Sequence, residues 1–356
     1  MNPPNNRRRF LAAAIAGGVS GVIGSSLARQ VSADDDAVRE RWAAVDARFT
    51  VQTLYAINRG LRFLAKRQLP GGNFPGQMGS NVAVVSLAGL AWLAAGYLPN
   101  RGRYGVYLQR AIDFIAASMR LDGMLIRPDA VSRGAMYGHG FAALFLAETY
   151  GITARGDMLR GVQRATNLIV TAQNREGGWR YQPVPQDADV SMTVCQLMAL
   201  RAAKNAGVFV PAETITNATD YLRRCQNTDG GFMYQAGGSE SRFPLTAGAI
   251  VALQNAGRYQ GQELERAYAY LLRRQSVNLQ PRQNNYFFYA HYYSVQAFWQ
   301  RGDAAFNRWY GPLRDVLLQR QRPDGDWQDY IGNIYATAMA CLILSAPKTS
   351  LPIFQR

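Results

Sequence analysis

The sequence predicts an all-α protein in which six helical hairpins close into two concentric rings. Three observations lead to this prediction: a turn motif recurs six times, apolar segments with helical periodicity flank each copy, and strand-like alternation is nearly absent. Helix pairs repeated in this way form either an open solenoid or a closed double ring. Closure is favoured because the second helix of each pair, as at 82–95, 137–149 and 190–202, is apolar nearly all round.

The recurring turn has the form Gln-x-x-Asp-Gly-Gly-aromatic and lies between the two helices of each pair. The six copies begin at Gln68, Met119, Gln173, Gln226, Gln275 and Gln321, at intervals of 51, 54, 53, 49 and 46 residues. Paired glycines can adopt the positive φ that a helix end and a tight turn demand. The Trp or Phe that follows can fill the junction between neighbouring hairpins.

The N-terminal 33 residues have the features of an export signal. Arg7-Arg8-Arg9 precedes an uncharged stretch at 12–28, and Val31-Ser32-Ala33 offers a small-residue cleavage site. This pattern predicts a twin-arginine signal peptide, with an uncleaved inner-membrane anchor as the open alternative. We therefore expect an exported protein of the periplasm or cell envelope.

The remaining elements follow in order along the chain. Residues 34–50 are expected to form a linker into the first helix, 51–346 one domain of six repeats, and 347–356 a C-terminal tail. The length and the 48% hydrophobic content exclude a disordered, collagen-like or small disulfide-bonded protein.

The charge distribution and the cysteine spacing indicate which partners and cofactors to expect. The net charge of +15 includes four arginines of the signal, and the other basic residues are scattered, so no nucleic acid partner is expected. The cysteines Cys195, Cys225 and Cys341 show no metal-ligand spacing, so neither a metal nor another cofactor is expected.

The repeated Gln-Asn-x-x-Gly-Gly-Trp/Phe motif resembles the prenyltransferase/squalene oxidase repeat of the squalene-hopene cyclase and protein prenyltransferase β-subunit superfamily. The resemblance covers residues from about 51 to 346. It implies an α/α six-hairpin toroid, whose inner helices begin around the mouth of a central cavity. Membership of such a superfamily predicts architecture better than chemistry.

Aligning the inner helices predicts two rings of equivalent residues at the cavity mouth. The first ring is Ser86, His139, Thr193, Thr246, His291 and Thr337. One turn earlier, the second ring is Val82, Ala135, Asp189, Arg242, Phe287 and Asn333. The first ring is either a ligand rim with acid or base histidines, or a set of side chains that satisfy nearby backbone groups.

The segment from Asp187 to Thr193 resembles a degraded Asp-x-Asp-Asp-Thr motif, with which squalene-hopene-type cyclases protonate an alkene. In one register Asp189 is the protonating acid and Asp187 its partner, while Val190 replaces the last Asp. In the other register Ser191 occupies the acid position. The resemblance gives Asp187 and Asp189 as candidate catalytic residues, and the first ring adds His291 as a candidate acid or base.

The prenyltransferase resemblance implies no metal site here. The zinc-binding Asp-x-Cys of those enzymes appears as Asp189-Val-Ser191, without its thiolate, and His291 lies two repeats on instead of one. The aromatic run at 286–293 either lines an isoprenoid pocket or fills the volume of a repeat without Gly-Gly. The residues expected to line the cavity are His139, Ser191, Thr193, Arg242, Thr246, Phe287, Tyr292, Asn333 and Thr337.

Three functions are compatible with these features. The first is a terpenoid cyclase-like or prenyltransferase-like toroid that binds an isoprenoid or another apolar lipid. The second is a non-catalytic scaffold that binds a protein or an envelope component. The third, a carbohydrate-active toroid, needs two carboxylates that face each other across the mouth, and the rim acids Glu240 and Asp329 are expected in turns.

Overall fold

The computed structural model describes residues 48–128, 130–131, 134–153, 156–280, 286–349 and 351–354. These residues belong to the compact unit Ala47–Arg356, whereas the expected export signal and most of the expected linker lie outside the described residues. The described part contains thirteen α-helices and, apart from isolated bridges at the turns, no β-structure. The helices are α1 (Val51–Arg67), α2 (Val82–Ala94), α3 (Gly105–Ala117), α4 (Ala135–Thr153), α5 (Gly156–Thr171), α6 (Val190–Asn205), α7 (Ala212–Arg224), α8 (Phe243–Asn255), α9 (Gln262–Arg273), α10 (Gln275–Asn278), α11 (Phe287–Arg301), α12 (Asp303–Arg320) and α13 (Asn333–Ser345).

Six of these helices form a closed inner ring. The helices α2, α4, α6, α8, α11 and α13 each pack against the next, and α13 packs back against α2. The helices α1, α3, α5, α7, α9 and α12 form the outer layer, where α1 packs on both α13 and α12. This is the closed double ring that the sequence predicts.

The two layers differ in the distribution of their apolar residues. Every residue of α13 from Ile334 to Ser345 is buried, as expected for a helix covered on both sides. The outer helix α9 instead buries one stripe, including Leu264 and Leu271, and exposes Arg266 and Arg273. Because the inner helices are buried on every side, they have no polar face that would indicate which side of each helix lies toward the centre of the ring.

In four of the six repeats, the leading glutamine of the turn binds two backbone carbonyls. In the third repeat, Gln173 Nε2 donates to the carbonyl of Gly177 within the turn at 2.7 Å and to that of Thr214 in α7 at 2.9 Å. Gln68, Gln226 and Gln321 make the same pair of bonds. Each glutamine therefore ties its turn to the next outer helix.

The glycine of the turn permits this close approach. Gly177 has a φ of +95°, and a Cβ placed on it would lie 2.2 Å from the carbonyl oxygen of Asn217 in α7. Gly72, Gly123, Gly230 and Gly325 have positive φ and the same close contact with a backbone carbonyl. A side chain at these positions would separate the turn from the neighbouring helix.

Arginines of the outer helices reinforce the same contact. Arg224 of α7 donates to the carbonyl of Glu176 at 2.5 Å, and Arg273 of α9 donates to that of Asp229 at 2.9 Å. Arg59 of α1 donates to two carbonyls of the last turn, which joins the two ends of the ring. Part of the scattered basic charge therefore stabilises the turns.

The C-terminal segment lies at the end of the inner ring opposite the starts of its helices. Two 3₁₀ turns, Ala346–Lys348 and Pro352–Phe354, follow α13, and the latter packs against α6 and α11. Leu351 and Ile353 are buried there. In the described part of the chain, no helix has the length and apolar character needed to cross a membrane.

Candidate functional site

A cavity of about 960 Å³ opens among the starts of the inner helices. Its wall is built from the segments that lead into α2, α4, α6, α8, α11 and α13 and from their N-terminal residues. Most of the lining side chains are apolar or aromatic. The lining tyrosines are Tyr137, Tyr181, Tyr234, Tyr270, Tyr286, Tyr289, Tyr330 and Tyr335. The volume and the lining are typical of a site for a small apolar molecule.

A buried carboxyl group lies directly behind one wall of this cavity. Asp189 is the N-cap of α6, and its Oδ1 accepts hydrogen bonds from the amide of Met192 at 2.9 Å and the hydroxyl of Ser191 at 2.6 Å. Its Oδ2 accepts from the hydroxyl of Tyr234 at 3.3 Å and lies 3.6 Å from Nε of Arg180. Asp189 has no exposed surface, whereas Ser191 and Tyr234 line the cavity.

Two further tyrosines complete this group, which we name the Asp189 cluster: Asp189, Ser191, Tyr137, Tyr181 and Tyr234. The hydroxyls of Tyr181 and Tyr234 share a hydrogen bond, and the hydroxyl of Ser191 is also a partner of Tyr137. The cluster gives one side of an apolar cavity a wall of hydroxyl groups.

Burial and the neighbouring donors shift the pKa of Asp189 in opposite directions. Burial raises the pKa of Asp189, while the hydrogen bonds from Ser191 and Met192 and the Arg180 guanidinium act in the lowering direction. Burial also raises the pKa of Tyr137 well above its ordinary value, so this phenol stays protonated. The donors around Asp189 favour its role as an acceptor that orients hydroxyls toward the cavity.

Asp187, the proposed partner of Asp189, lies outside the cavity wall. It is exposed and forms an ion pair with Arg180, and it accepts a hydrogen bond from Gln235 at 3.0 Å. Ser191 therefore lies at the cavity wall and Asp189 is buried behind it, whereas Asp187 lies outside the wall.

The first ring of polar residues differs from the expectation, because none of its six members lines the cavity. In the third, fourth and sixth repeats the threonine hydroxyl accepts a hydrogen bond from the amide of the aromatic residue in the turn. The pairs are Thr193 with Trp179, Thr246 with Phe232 and Thr337 with Trp327. These threonines therefore attach the turns to the inner helices and face away from the cavity.

Both histidines are likewise buried away from the cavity. His139 Nδ1 accepts from the amide of Leu125 at 3.1 Å, and its Nε2 is 3.1 Å from the carbonyl of Ala165. His291 Nε2 is 3.0 Å from the carbonyl of Asn278, and its ring packs edge-on against Phe287. Burial lowers the pKa of both histidines to about 4. This environment differs from that expected of a catalytic His291.

The second ring is only partly at the cavity. Of its members, Arg242 and Asn333 line the cavity, whereas Asp189 and Phe287 are buried. Two expected lining residues outside the rings also differ, because Ser191 lines the cavity and Tyr292 is buried behind the wall. Sequence reasoning did not find Tyr137, Tyr234 or Tyr335, and it treated Asp329 only as a rim acid in a turn. The described residues hold no group of three or more His, Cys, Asp or Glu that could bind a metal ion.

The fold of the described residues is an α/α toroid with a cavity at one mouth of its inner ring. Residues 152–286 match the model of the prenyltransferase alpha-alpha toroid domain family. Drimenyl diphosphate synthase from Streptantibioticus cattleyicolor is 33% identical over 108 residues, or 30% of this chain and 20% of that protein. The matched segment thus spans about a fifth of the curated relative.

Solved structures share the fold at low sequence identity. The type II terpene cyclase MstE from Scytonema has a TM-score of 0.58 and 18% identity, and the match covers 85% of this chain and 98% of MstE. Cellobiose 2-epimerase from Bacillus thermoamylovorans has a TM-score of 0.59 and 12% identity, and the match covers 82% of this chain and 98% of the epimerase. The resemblance to the toroid superfamily and the predicted fold are confirmed, and these likenesses extend to the fold alone.

Proposed function

We propose that this toroid binds an isoprenoid or another apolar molecule in its central cavity, as a terpenoid cyclase-like protein. The observation that carries the proposal is the 960 Å³ cavity, whose wall is dominated by aromatic rings and aliphatic side chains. Ring faces can bind unsaturated hydrocarbon chains and can also stabilise positive charge through their quadrupoles.

The comparisons support this proposal without identifying a ligand. The curated relative is named drimenyl diphosphate synthase, and an MstE structure holds geranylgeranyl dihydroxybenzoate. The match to the type II terpene cyclase MstE covers 98% of that chain.

Within this proposal, Asp189 is a positioning residue. It holds the hydroxyls of Ser191 and Tyr234 at the cavity wall, where they can orient a polar group of the ligand. Asp187 and His291 have no role in the cavity within this proposal. Asp187 forms an exposed ion pair with Arg180, and the buried ring of His291 contacts the carbonyl of Asn278.

The test is to purify the protein and identify bound lipids by mass spectrometry, with a variant that fills the cavity. Ala83 lines the cavity, so Ala83→Trp should reduce bound isoprenoid at least tenfold. Ala304→Trp, at an exposed position of α12, is the matched control and should bind as the wild type does. Wild-type protein without bound lipid, and without affinity for added geranylgeraniol, would favour the non-catalytic scaffold that binds a protein or envelope component.

Export remains part of the proposal and rests on the sequence of the first 33 residues. Arg8→Lys with Arg9→Lys should retain the protein in the cytoplasm, whereas Arg7→Lys alone should not. Cell fractionation with an antibody against the toroid measures this, and unchanged export of the double variant would contradict it.

A further inference from the structure

Each inner helix contributes a residue from the same position of its repeat to the cavity wall. Two residues before each member of the first ring, the equivalent residues are Val84, Tyr137, Ser191, Pro244, Tyr289 and Tyr335, and all six line the cavity. We name this set the lining ring. Four of its members carry a hydroxyl group, so this level of a mostly apolar cavity offers several hydrogen-bonding groups.

The floor of the cavity lies one helical turn deeper in the same pattern. The equivalent residues at this level are Ala88, Phe141, Cys195, Gly248, Tyr293 and Met339. Phe141 and Met339 line the cavity, and Tyr293 is fully buried at their level. Among these six residues, Tyr293 alone carries a hydroxyl group.

Two tyrosine hydroxyls at these levels have no hydrogen-bond partner among the described residues. The hydroxyl oxygens of Tyr289 and Tyr293 are both buried, whereas those of Tyr137 and Ser191 belong to the Asp189 cluster. Tyr289 and Tyr293 lie one turn apart in α11, and their rings meet edge to face with centroids 4.8 Å apart. A buried hydroxyl without a partner costs free energy, and a ligand atom that binds it removes this cost.

The surroundings of both hydroxyls place them toward the centre of the ring. An added Cβ on Gly248 of α8 would lie 3.7 Å from the hydroxyl oxygen of Tyr289, so α8 has no side chain at this point that could bind it. The phenol of Tyr293 interacts electrostatically with the phenol of Tyr137 in α4, on the opposite side of the ring. The two hydroxyls are therefore accessible to the deepest part of a bound molecule.

The electrostatics at the floor favour a neutral ligand group. Burial raises the pKa of Tyr289 and Tyr293 well above the ordinary value, so both phenols are protonated. The groups that act on them are other phenols, the thiol of Cys195 and, for Tyr289, the carboxyl group of Asp189, and none of these is a cation. A carboxylate or phosphate would be desolvated here without a counter-charge, whereas an alcohol can accept a hydrogen bond from one phenol and donate one to the other.

We propose that the floor of the cavity is a binding subsite for an alcohol, in which Tyr289 and Tyr293 bind the hydroxyl group of the ligand. The inference rests on the proposed function, and it narrows the ligand to an apolar molecule with a hydroxyl group at the end that enters first. The rest of the molecule extends from the floor toward the mouth along the aromatic and aliphatic wall.

The experiment measures the affinity of the full chain for geranylgeraniol and for the hydrocarbon that has hydrogen in place of its hydroxyl group. Equilibrium dialysis at a fixed detergent concentration, with detection by mass spectrometry, gives both values. Tyr289→Phe and Tyr293→Phe each remove one hydroxyl and keep the ring. Each should weaken geranylgeraniol binding about fivefold to tenfold and change hydrocarbon binding by less than about twofold. Comparing each variant with the wild type for both ligands cancels the difference in ligand solvation.

Tyr259→Phe is the matched control, because Tyr259 is exposed and does not line the cavity, and it should bind both molecules as the wild type does. Tyr289→Phe and Tyr293→Phe should unfold at the temperature of the wild type or above it, since each removes a buried hydroxyl without a partner. A clearly lower unfolding temperature of both variants would overturn the inference, because the hydroxyls would then have partners within the protein.

An equal loss of affinity for both ligands, or unchanged geranylgeraniol binding in both variants, would overturn the alcohol subsite and leave the proposed binding function intact. If the wild type binds neither molecule, the proposed function fails together with this inference.

Discussion

Two hydrogen bonds determine the role of His139. The amide of Leu125 can only donate, so Nδ1 of His139 is unprotonated and Nε2 carries the proton that is donated to Ala165. Protonation of Nδ1 would oppose two N–H groups in a buried site. His139 therefore accepts a hydrogen bond from a backbone amide of the turn in the second repeat, as Thr193 does in the third.

This environment predicts a dependence of stability on acid pH. The pKa of each histidine is about 4 in the folded protein, against 6.5 as its ordinary value, so the unfolded chain binds more protons between these limits. The free energy of unfolding should therefore fall as pH decreases from 6.5 to 4, by up to about 3 kcal/mol per histidine. His139→Thr, which keeps an acceptor for Leu125, should remove about half of this slope. Urea unfolding followed by circular dichroism from pH 4 to 7 measures it, and an unchanged slope would contradict the assignment.

Asp189 should contribute to stability far more than its neighbour Asp187. Asp189→Ala removes a helix N-cap and leaves the buried hydroxyl of Ser191 without its acceptor, so we expect a loss of about 2–4 kcal/mol. Asp187→Ala breaks an ion pair whose carboxylate is about half exposed and should cost less than about 1 kcal/mol. Equal losses in urea unfolding of the two variants would show that the Asp189 cluster is not a structural unit.

Residue-level prediction from the sequence was limited by the inner helices themselves. Periodicity shows which face of a helix is buried only if another face is polar, and α6 is buried along nearly its whole length. The alignment therefore found equivalent residues, such as Thr193 and Thr337, but could not tell the cavity side from the turn side. Ser191 was found because a motif, and not a periodicity, singled it out.

At the scale of the helical hairpin, the turn is the best-predicted element. Its glutamine, glycine and aromatic residue were identified from sequence, and Trp179 fills the hairpin junction with its Nε1 donating to Ile169 at 2.7 Å. The aromatic run of the fifth repeat was less predictable. Tyr289 lines the cavity, whereas Phe288 and Tyr293 are buried behind it, so the run contributes both to the cavity wall and to the packing behind it.

The close approach at the turn glycine can be separated from its backbone conformation by a matched pair of variants. Gly207 has a φ of +88° and nothing within 4 Å of an added Cβ, so Gly207→Ala should cost about 1–2 kcal/mol from conformation alone. Gly177→Ala has the same conformational cost and also forces the turn away from Asn217, so it should lose about 1–3 kcal/mol more. Equal losses in chemical denaturation would show that the turn moves freely.

At the scale of the whole molecule, the last repeat is joined to the first by the same glutamine contact that joins the first, third and fourth repeats to the repeats that follow them. Gln321 donates to Ala56 of α1 at 2.8 Å, and Gly60 is so close to α13 that a Cβ would lie 2.6 Å from Sγ of Cys341. Closure was predictable because apolar inner helices need neighbours on both sides. An open stack would leave α2 and α13 each with one exposed apolar flank.

Closure predicts that the terminal helices are as well protected as the central ones. Amide hydrogen exchange of α1 should be as slow as that of α7 in the wild type, because both outer helices receive a glutamine contact of the same kind. Gln321→Leu should destabilise by about 1–3 kcal/mol and accelerate exchange in α1 and α13 first. Gln226→Leu should cost a similar amount and affect α8 and α9 instead. Rapid exchange of α1 in the wild type would indicate an open ring.

The turn contacts and the cavity wall occupy different sides of the inner ring, and this separation has an evolutionary consequence. Thr193 and Thr246 bind the turns on the outer side, while Ser191 and Leu245 of the same helices line the cavity. Substitutions in the wall can therefore accumulate with little penalty to folding. A scaffold of this kind is evolvable, which accounts for one architecture among proteins as different as a terpene cyclase and a sugar epimerase.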